Sequence, residues 1–501
     1  MLRFELDTDA CQRATSARDP RFDGVFFIGV TTTGVYCRPV CPARVTHPER
    51  RRFFASAAAA ERAGFRPCLR CRPELAPGRA LCDAVSRLAS AAAQRIAAGA
   101  LNGRTVADLA RDLSVSERHL RRAMERELGV SPVELAQTHR LLLAKHLLTD
   151  TRLSVTRVAF ASGFQSLRRF NAAFRERYRL PPKALRSERR APPASRAELP
   201  RELMRLTLSY RPPMAWDALL AMLRSTATPG VEHVDGRRYG RTVRLNGTSG
   251  VLIAEDGAAR SARDGGEAKG PGRGGGAHVN LDVSISLAPV LMPLLAKVRQ
   301  LLDLDAEPSV VDTHLEQAGM GALVARRPGL RVPGAIDGFE VALRVLLGTR
   351  WPESADLARR LAEDLGEPIA TGIPSLTRLA PSAARVAEAG ATRLACLGLS
   401  PRRAEAIAAL ARPIAGGMLR LEPGSDVPAT RTAIRELTGI GEGLATLIVM
   451  RALRWPDAFP VTDRALQRVA GVRSTRAIAG TAERMRPWRA YAAMHVWLEG
   501  R

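Results

Sequence analysis

The chain contains 501 residues, too many for a single hydrophobic core, so we expect several domains. Lys and Arg number 76 against 50 Asp and Glu, and the formal net charge of +26 favours a polyanionic partner such as nucleic acid. No segment has the roughly 18 apolar residues of a membrane span, and the N-terminus lacks a signal-peptide pattern, which argues against a membrane or secreted protein and predicts a cytoplasmic one.

Two close pairs of cysteines, Cys37 with Cys41 and Cys68 with Cys71, come first along the chain. In a reducing compartment cysteines seldom form disulfides, so this spacing indicates a metal site. Zn²⁺ prefers four soft ligands at tetrahedral angles, and two short-range pairs supply them at little cost in loop closure. The spacing alone leaves open whether a zinc ion only staples a small domain or also serves a reaction.

The residues around these pairs read FFIGVTTTGVYCRPVCPAR and AGFRPCLRCRPE. From about Arg21 to Pro73 the sequence closely resembles the methylphosphotriester repair domain of the Ada adaptive-response protein. The resemblance implies that the four cysteines hold one Zn²⁺ and that Cys37 irreversibly accepts a methyl group from DNA methylphosphotriesters. It also implies that the methylated protein activates transcription, with promoter DNA and the transcription machinery as partners.

The chemistry of a zinc-bound cysteine agrees with this role. A coordinated thiol stays deprotonated at neutral pH, so a nucleophile is ready without a separate base. Four thiolates on one Zn²⁺ carry two net negative charges, which repel ordinary phosphodiesters but not a neutral phosphotriester. Methylation removes one of those charges, so we expect it to raise the affinity for DNA. Thr31 to Thr33, Arg38 and Arg44 are candidates for phosphate contacts, although loop and surface roles suit them equally.

A helical pattern with an internal repeat follows. The segment Thr105–Gly129 (TVADLARDLSVSERHLRRAMERELG) matches Ser154–Tyr178 (SVTRVAFASGFQSLRRFNAAFRERY), and each copy has the layout of a helix-turn-helix. The pair resembles the DNA-binding domain of AraC-type regulators, which carry two such units on one chain. The candidate DNA-contacting side chains, each of which also suits a solvated surface, are Arg118 and Arg121 in the first unit and Gln165, Ser166, Arg168 and Arg169 in the second.

Two segments further along are too polar to pack into a core. Residues 187–200, charged and rich in proline, are interpreted as a linker, and residues 256–277, rich in glycine, as a flexible loop. The stretches LMRLTLSYRPP, TVRLNG and HVNLDVSI alternate like β-strands. After Leu287 the pattern predicts consecutive helices to the end of the chain.

Residues 201–501 resemble the 3-methyladenine DNA glycosylase II family, whose members are AlkA-like helix-hairpin-helix proteins. The stretch LTGIGEGLATLIVMRAL matches the hairpin, and FPVTDRALQR matches the acidic segment that follows it. Glycines in Gly439-Ile440-Gly441 let the backbone turn tightly and aim N–H groups at a DNA phosphate. The resemblance implies that Asp463 is the catalytic carboxylate for hydrolytic excision of alkylated purines and that Trp497 lines the base pocket. The hairpin lacks a lysine for a Schiff base, which favours base removal without strand cleavage.

The C-terminal sequence departs from that family at the base pocket. Relatives carry a tryptophan where this chain has Gly443, an aromatic residue one helical turn later is replaced by Leu447, and the usual Gly-Gln reads Gly348 followed by Thr349-Arg350. Electron-rich rings stack on cationic bases, so their loss weakens or alters the pocket. Two interpretations remain open: a bifunctional repair enzyme and activator, or a transcription regulator with a degenerate, inactive glycosylase domain.

Taken together, these segments predict a multidomain, mainly α protein. We expect a small zinc-bound α/β domain (residues 1–78), an AraC-type paired helix-turn-helix (79–186), a linker (187–200), a strand-rich α+β lobe (201–287) and a helix-hairpin-helix glycosylase domain (288–501). The expected partner is double-stranded DNA, both damaged and promoter DNA, without a membrane. We therefore expect a nucleoid-associated location in the cytoplasm.

Overall fold

The structure, a computed structural model, describes residues 7–43, 47–78, 87–187, 202–257, 277–348, 353–469 and 475–499. The chain divides into two compact units: unit 1 comprises residues 1–212 and 256–296, and unit 2 comprises residues 213–255 and 297–501. The predicted linker beyond residue 187 and most of the predicted flexible loop lie outside the described residues. No helix within the described ranges is long and apolar enough to cross a membrane.

A four-stranded sheet organises the N-terminal part of unit 1. Its elements are α1 (Thr8–Ala17), β1 (Phe27–Val30), β2 (Val35–Cys37), β3 (Arg51–Phe54), α2 (Ala57–Arg62) and β4 (Arg66–Pro67). The strand order is β3-β1-β2-β4, with β2 antiparallel to β1 and parallel to β4. In the parallel pair Tyr36 lies opposite Pro67. The next residues, Cys37 and Cys68, therefore leave the sheet side by side.

The helices of the paired helix-turn-helix follow in unit 1. They are α3 (Arg87–Ala97), α4 (Val106–Asp112), α5 (Glu117–Leu128), α6 (Pro132–Asp150), α7 (Val155–Ala161), α8 (Leu167–Tyr178) and α9 (Pro182–Ser187). The second helix of each unit begins after a capping serine, Ser116 before α5 and Ser166 before α8, whose hydroxyl accepts a hydrogen bond from the first turn. In the second turn Gly163 has a φ of +89°, and a Cβ there would lie 2.4 Å from the Asn102 side chain, so the turn requires glycine. The predicted repeat of two helix-turn-helix units is confirmed.

Beyond residue 201 the elements are, in chain order, β5 (Leu203–Ser209), α10 (Trp216–Thr226), β6 (Glu232–Asp235), β7 (Arg238–Leu245), β8 (Thr248–Asp256), β9 (His278–Ser284), α11 (Leu291–Leu301), α12 (Pro308–Leu315), α13 (Gly321–Arg326), α14 (Gly338–Leu347), α15 (Glu353–Leu365), α16 (Ala383–Cys396), α17 (Pro401–Ala415), α18 (Val427–Arg435), α19 (Glu442–Ala452), α20 (Arg464–Val469), α21 (Thr475–Ala482) and α22 (Arg489–Glu499). Within unit 1, β5 pairs antiparallel with β9; within unit 2, β6, β7 and β8 form an antiparallel meander. Buried aliphatic residues of α14 to α19 form the main apolar cluster of unit 2. The predicted strands and the helical C-terminal region are confirmed.

Candidate metal centre and nucleic-acid interface

The two predicted cysteine pairs converge on one point in unit 1. Cys37 ends β2 and Cys41 follows in the next turn, whereas Cys68 and Cys71 follow β4. Their four Sγ atoms all lie within 4.8 Å of one another, and all four but Cys41 are buried. A tetrahedral site with Zn–S bonds of ~2.3 Å separates its sulfurs by about 3.8 Å, so the cluster has the size and the soft donors that one Zn²⁺ requires.

Backbone N–H groups donate hydrogen bonds to sulfurs of the cluster. The Sγ atom of Cys71 accepts a hydrogen bond from the Arg38 N–H at 3.4 Å. Cys41 and Cys68 also accept one backbone hydrogen bond each. A donated hydrogen bond stabilises the charge of a thiolate, so these contacts help the cluster to carry its negative charge.

The Arg38 side chain is held inside the protein. Its guanidinium donates two hydrogen bonds to the Asp23 carboxylate, and its Nη1 donates to the Cys71 carbonyl at 3.1 Å. Only 8% of Arg38 is exposed. Of the roles open to Arg38, the structure favours an internal contact that joins Asp23 to the metal centre. The sequence did not single out Asp23. Thr31 to Thr33 are exposed, and Arg44 lies outside the described residues.

The predicted DNA-contacting residues of the helix-turn-helix units lie at the surface, with one exception. The exposed ones are Arg118, Arg121, Gln165, Arg168 and Arg169. Ser166 is half-buried because its hydroxyl caps α8. Arg121 forms an ion pair with Glu117 one helical turn earlier, with Nε and Oε1 2.9 Å apart. Contact of these side chains with DNA stays a prediction.

The helix-hairpin-helix consists of α18, the turn at Gly439–Gly441 and α19. Gly439 has a φ of +81°, and a Cβ there would lie 3.0 Å from the Ala406 Cβ. Ile440 is only 4% exposed and anchors the turn in the core, while Gly441 stands at the N-cap of α19. The first N–H groups of a helix have no intrahelical acceptor, so this end of α19 suits a phosphate.

Asp463 and Trp497 come together in unit 2. Asp463 directly precedes α20 and is half-buried. Its Oδ1 accepts hydrogen bonds from the Leu466 N–H at 3.0 Å and from the Trp497 Nε1–H at 3.2 Å. The predicted carboxylate and the predicted pocket tryptophan therefore share one site, and the indole fixes the orientation of the carboxylate. Their roles in a reaction stay predictions.

Gly443, which replaces the tryptophan of relatives, faces an occupied space. A Cβ at Gly443 would lie 2.1 Å from the Thr462 Oγ1, and Thr462 directly precedes Asp463. Sequence reasoning did not single out Thr462, because nothing in its local sequence marks this contact. Leu447 is half-buried on α19, and Thr349-Arg350 lies outside the described residues.

Fold and site together define a zinc-dependent DNA-binding protein with a paired helix-turn-helix and a helix-hairpin-helix. Three family models match the chain: "Metal binding domain of Ada" at residues 10–74, "Helix-turn-helix domain" at residues 109–188 and "AlkA N-terminal domain" at residues 205–337. These matches confirm the predicted fusion and the single Zn²⁺ on the four cysteines.

The chain belongs to the family of the bifunctional transcriptional activator/DNA repair enzyme AlkA. The "Probable bifunctional transcriptional activator/DNA repair enzyme AlkA" of Mycobacterium tuberculosis is 35% identical over 498 residues, which cover 98% of this chain and 96% of that protein. "DNA-3-methyladenine glycosylase 2" of Escherichia coli K12 is 32% identical over 294 residues, covering 58% of this chain and 96% of that protein. "Bifunctional transcriptional activator/DNA repair enzyme Ada" of the same organism is 34% identical over 160 residues, covering 32% of this chain and 43% of that protein. Family membership confirms the predicted class.

Proposed function

We propose that this protein removes two kinds of alkyl damage from DNA and activates transcription in response. Cys37 accepts a methyl group from a DNA methylphosphotriester, and the C-terminal half hydrolyses the N-glycosidic bond of alkylated purines of the 3-methyladenine type. The observation that carries the first activity is the cluster of four cysteine sulfurs within 4.8 Å of one another, in which Cys37 stands at the end of β2.

Methyl transfer at Cys37 is a single displacement. The Sγ lone pair forms a bond to the methyl carbon, the bond between that carbon and the ester oxygen breaks, and its electron pair stays on the phosphate as a diester anion. A Zn²⁺ bound by Cys37, Cys41, Cys68 and Cys71 would keep the attacking sulfur deprotonated at neutral pH. Arg38 and Asp23 hold the segment that follows Cys37 in place. The step is not reversed, because the reverse displacement would require a weakly nucleophilic phosphodiester oxygen to expel a thiolate from the thioether.

The transfer also changes the charge of the site. The thiolate becomes a neutral thioether, so the cluster loses one negative charge. Repulsion of a nearby phosphate then falls by ~1–3 kcal/mol at an effective dielectric constant of 20–40. That corresponds to a roughly tenfold to hundredfold gain in affinity, which suffices to convert a repair event into occupation of a promoter by the paired helix-turn-helix.

The test of methyl transfer uses a duplex that carries one methylphosphotriester. We expect peptide mass spectrometry to show a gain of one methyl group on Cys37, and no gain in the Cys37→Ser variant. Cys396→Ser, which changes an exposed cysteine outside the cluster, serves as the control and should be methylated like the wild type. An unmodified Cys37 in a protein that retains its zinc would refute the proposal.

Base excision rests on the site of Asp463. Purines alkylated at N3 or N7 carry positive charge and leave without protonation, so the enzyme must flip the nucleotide and stabilise the cationic sugar. The Asp463 carboxylate suits that task, because two hydrogen bonds fix its orientation beside Trp497. We expect the wild-type protein to release 3-methyladenine and Asp463→Asn to release far less. The control Glu388→Gln changes an exposed carboxylate and should behave like the wild type.

A second candidate function is that of a transcription regulator whose glycosylase region no longer excises bases. The Gly443 position favours this alternative, because Thr462 fills the space beside it and the stacking aromatic of relatives is missing. The same assay decides between the two: a wild-type protein that releases no more base than Asp463→Asn is a regulator only.

The location follows from the proposed substrate. A protein that repairs and reads chromosomal DNA works at the nucleoid, so we infer a nucleoid-associated location in the cytoplasm. A fluorescent fusion of the full chain should coincide with stained DNA, and a signal spread evenly through the cell would contradict the inference.

A further inference from the structure

One buried carboxylate, that of Glu61 in α2, joins the zinc domain (residues 7–78) to the paired helix-turn-helix. Its Oε1 accepts a hydrogen bond from the Tyr36 hydroxyl at 3.0 Å, and its Oε2 accepts one from the Thr138 hydroxyl on α6 at 2.5 Å. The Nη1 of Arg177 on α8 lies 3.2 Å from the same Oε2. Tyr36, Glu61 and Thr138 are all at most 5% exposed, so the junction lies inside the protein.

The junction is adjacent to the methyl acceptor. Tyr36 directly precedes Cys37 in β2, and β2 is held by β1 on one side and β4 on the other. Any shift of Glu61 relative to α6 would therefore act on the strand that ends at Cys37. On the other side, α8 is the helix whose first turn carries Arg168 and Arg169. Glu61 thus lies between the strand of the acceptor and the helix of the predicted DNA contacts.

Apolar packing connects the same two parts through α2. Ala57 and Ala60 of this helix belong to the core of the zinc domain, which Leu142 of α6 also contacts. Ala58, on another face of α2, belongs to the core of the first helix-turn-helix unit. The helix that presents Glu61 is therefore shared by two cores.

A second polar contact joins the zinc domain to α6. Glu74 accepts hydrogen bonds from Lys145 of α6 at 2.6 Å and from Arg72 at 3.0 Å. Lys145 also donates to the Cys68 carbonyl at 3.2 Å, and Arg72 donates to Asp150 at the end of α6 at 2.8 Å. Glu61 binds Thr138 of α6 and Glu74 binds Lys145 about two helical turns later, so the zinc domain contacts this helix at two separate points.

Contact between the zinc domain and the helix-turn-helix does not by itself explain why a carboxylate stands at this junction. Burying a charged group is costly, and apolar residues of the same shape would hold two surfaces together at least as tightly. What a hydrogen-bonded carboxylate adds is direction, because its partners must stand at set angles. We propose that Glu61 is a positioning residue that holds the Cys37 strand and α8 in fixed register, so that both contact one DNA duplex as a single rigid surface.

This inference rests on the proposed function and states how its two parts cooperate. Two surfaces on a rigid body bind one duplex with little further loss of freedom once the first is bound. Methylation of Cys37 then adds its gain directly to the affinity of the helix-turn-helix pair without a domain movement. If the register loosens, each surface keeps its own affinity but the combined affinity falls.

The experiment compares Thr138→Val and Glu61→Gln with Thr138→Ser in the full chain. Valine has the shape of threonine without the hydroxyl, whereas serine keeps it. Glu125→Gln is the matched control, because Glu125 also pairs across the same two parts, with Arg62, but in an exposed position. Two DNA probes are compared. The complete duplex is selected from a random pool by the methylated wild-type protein. The truncated duplex keeps only the part of that DNA that the helix-turn-helix protects in a footprint.

We expect Thr138→Val and Glu61→Gln to bind the complete duplex about fivefold to thirtyfold more weakly than the wild type and the truncated duplex equally well. Thr138→Ser and Glu125→Gln should bind both duplexes like the wild type and keep its rate of methyl transfer at saturating DNA. Equal affinity of Thr138→Val and wild type for the complete duplex overturns the inference. So does an equal loss on both duplexes, which would indicate general damage to the helix-turn-helix.

Failure of the proposed function is a separate result. If the wild-type protein gains no methyl group, the transfer is refuted, yet a complete duplex selected with the unmethylated protein, compared with its truncated form, still decides on the register. If Glu61→Gln does not fold, the Thr138→Val and Thr138→Ser pair gives the answer alone.

Discussion

Removal of the Lys145 ammonium should loosen the zinc domain measurably. Lys145 and Glu74 form an ion pair in which each side chain is 1% exposed and the charged atoms lie 2.6 Å apart. Burial alone would raise the pKa of Glu74, but Lys145 and Arg72 lower it below its usual value, so the carboxylate is ionised. Lys145→Met would leave that charge with Arg72 only and would also remove the donor to the Cys68 carbonyl.

Breaking a buried pair by removing one partner costs ~3–5 kcal/mol, and the remaining Arg72 contact places the expected loss near the lower end, about 3 kcal/mol. Hydrogen exchange followed by mass spectrometry on the full chain measures this loss as local opening. Peptides that cover β4 and the residues up to Leu75 should exchange roughly 150-fold faster in Lys145→Met than in the wild type.

A second variant separates the ion pair from simple packing. When Glu74→Met accompanies Lys145→Met, no buried charge lacks its partner there, and replacement of both members of a buried pair is often neutral. Exchange should therefore return close to the wild-type rate. Unchanged exchange in the single variant, or a double variant that exchanges as fast as the single one, would show that the charge pairing does not stabilise this segment.

Three further changes test other parts of the chain. Burial lowers the pKa of His495 from 6.5 to about 4, so between these values the folded state binds fewer protons than the unfolded state. The contribution of His495 to the free energy of unfolding, about 3 kcal/mol, is therefore complete above pH 6.5 and is lost as the pH falls towards 4. Calorimetry should show a flatter dependence of stability on pH for His495→Gln. Gly163→Ala should strain the turn by ~1–3 kcal/mol and thereby weaken DNA binding in a gel-shift assay. Asn102→Ala added to Gly163→Ala should remove the clash but leave the strain of the positive φ, so that binding recovers only in part. Gly443→Trp should overpack against Thr462 at a cost of ~1–3 kcal/mol and so reduce the release of 3-methyladenine. The double variant Gly443→Trp with Thr462→Ala should recover activity. Equal rates for the single and the double variant would contradict this account.

Features with a local signature could be predicted from the sequence. The cysteine spacing predicted the zinc ligands, and the glycines predicted the hairpin. The meeting of Asp463 with Trp497 was accessible only through resemblance to a family. Each of these signals lies in a short stretch of residue types, which is why no knowledge of the packing was needed.

The internal polar contacts could not be predicted in this way. Glu61 and Thr138 lie 77 residues apart, and neither stands in a pattern that sets it apart from a surface residue. Arg38 presents the same difficulty, because an arginine beside a metal site suits a phosphate contact as well as the buried pair with Asp23 that it forms. Which polar residues are enclosed depends on tertiary packing, such as that of α2 against α6.

The sharing of α2 between two cores has a consequence for how such chains are assembled by gene fusion. A break between residues 78 and 87 would separate the cysteines from the helices without cutting any described helix or strand, yet it would remove Ala58 from the core of the first helix-turn-helix unit. The fragment that begins at α3 would expose apolar surface that α2 normally covers. A portion of this chain that keeps both cores complete therefore contains the two modules together.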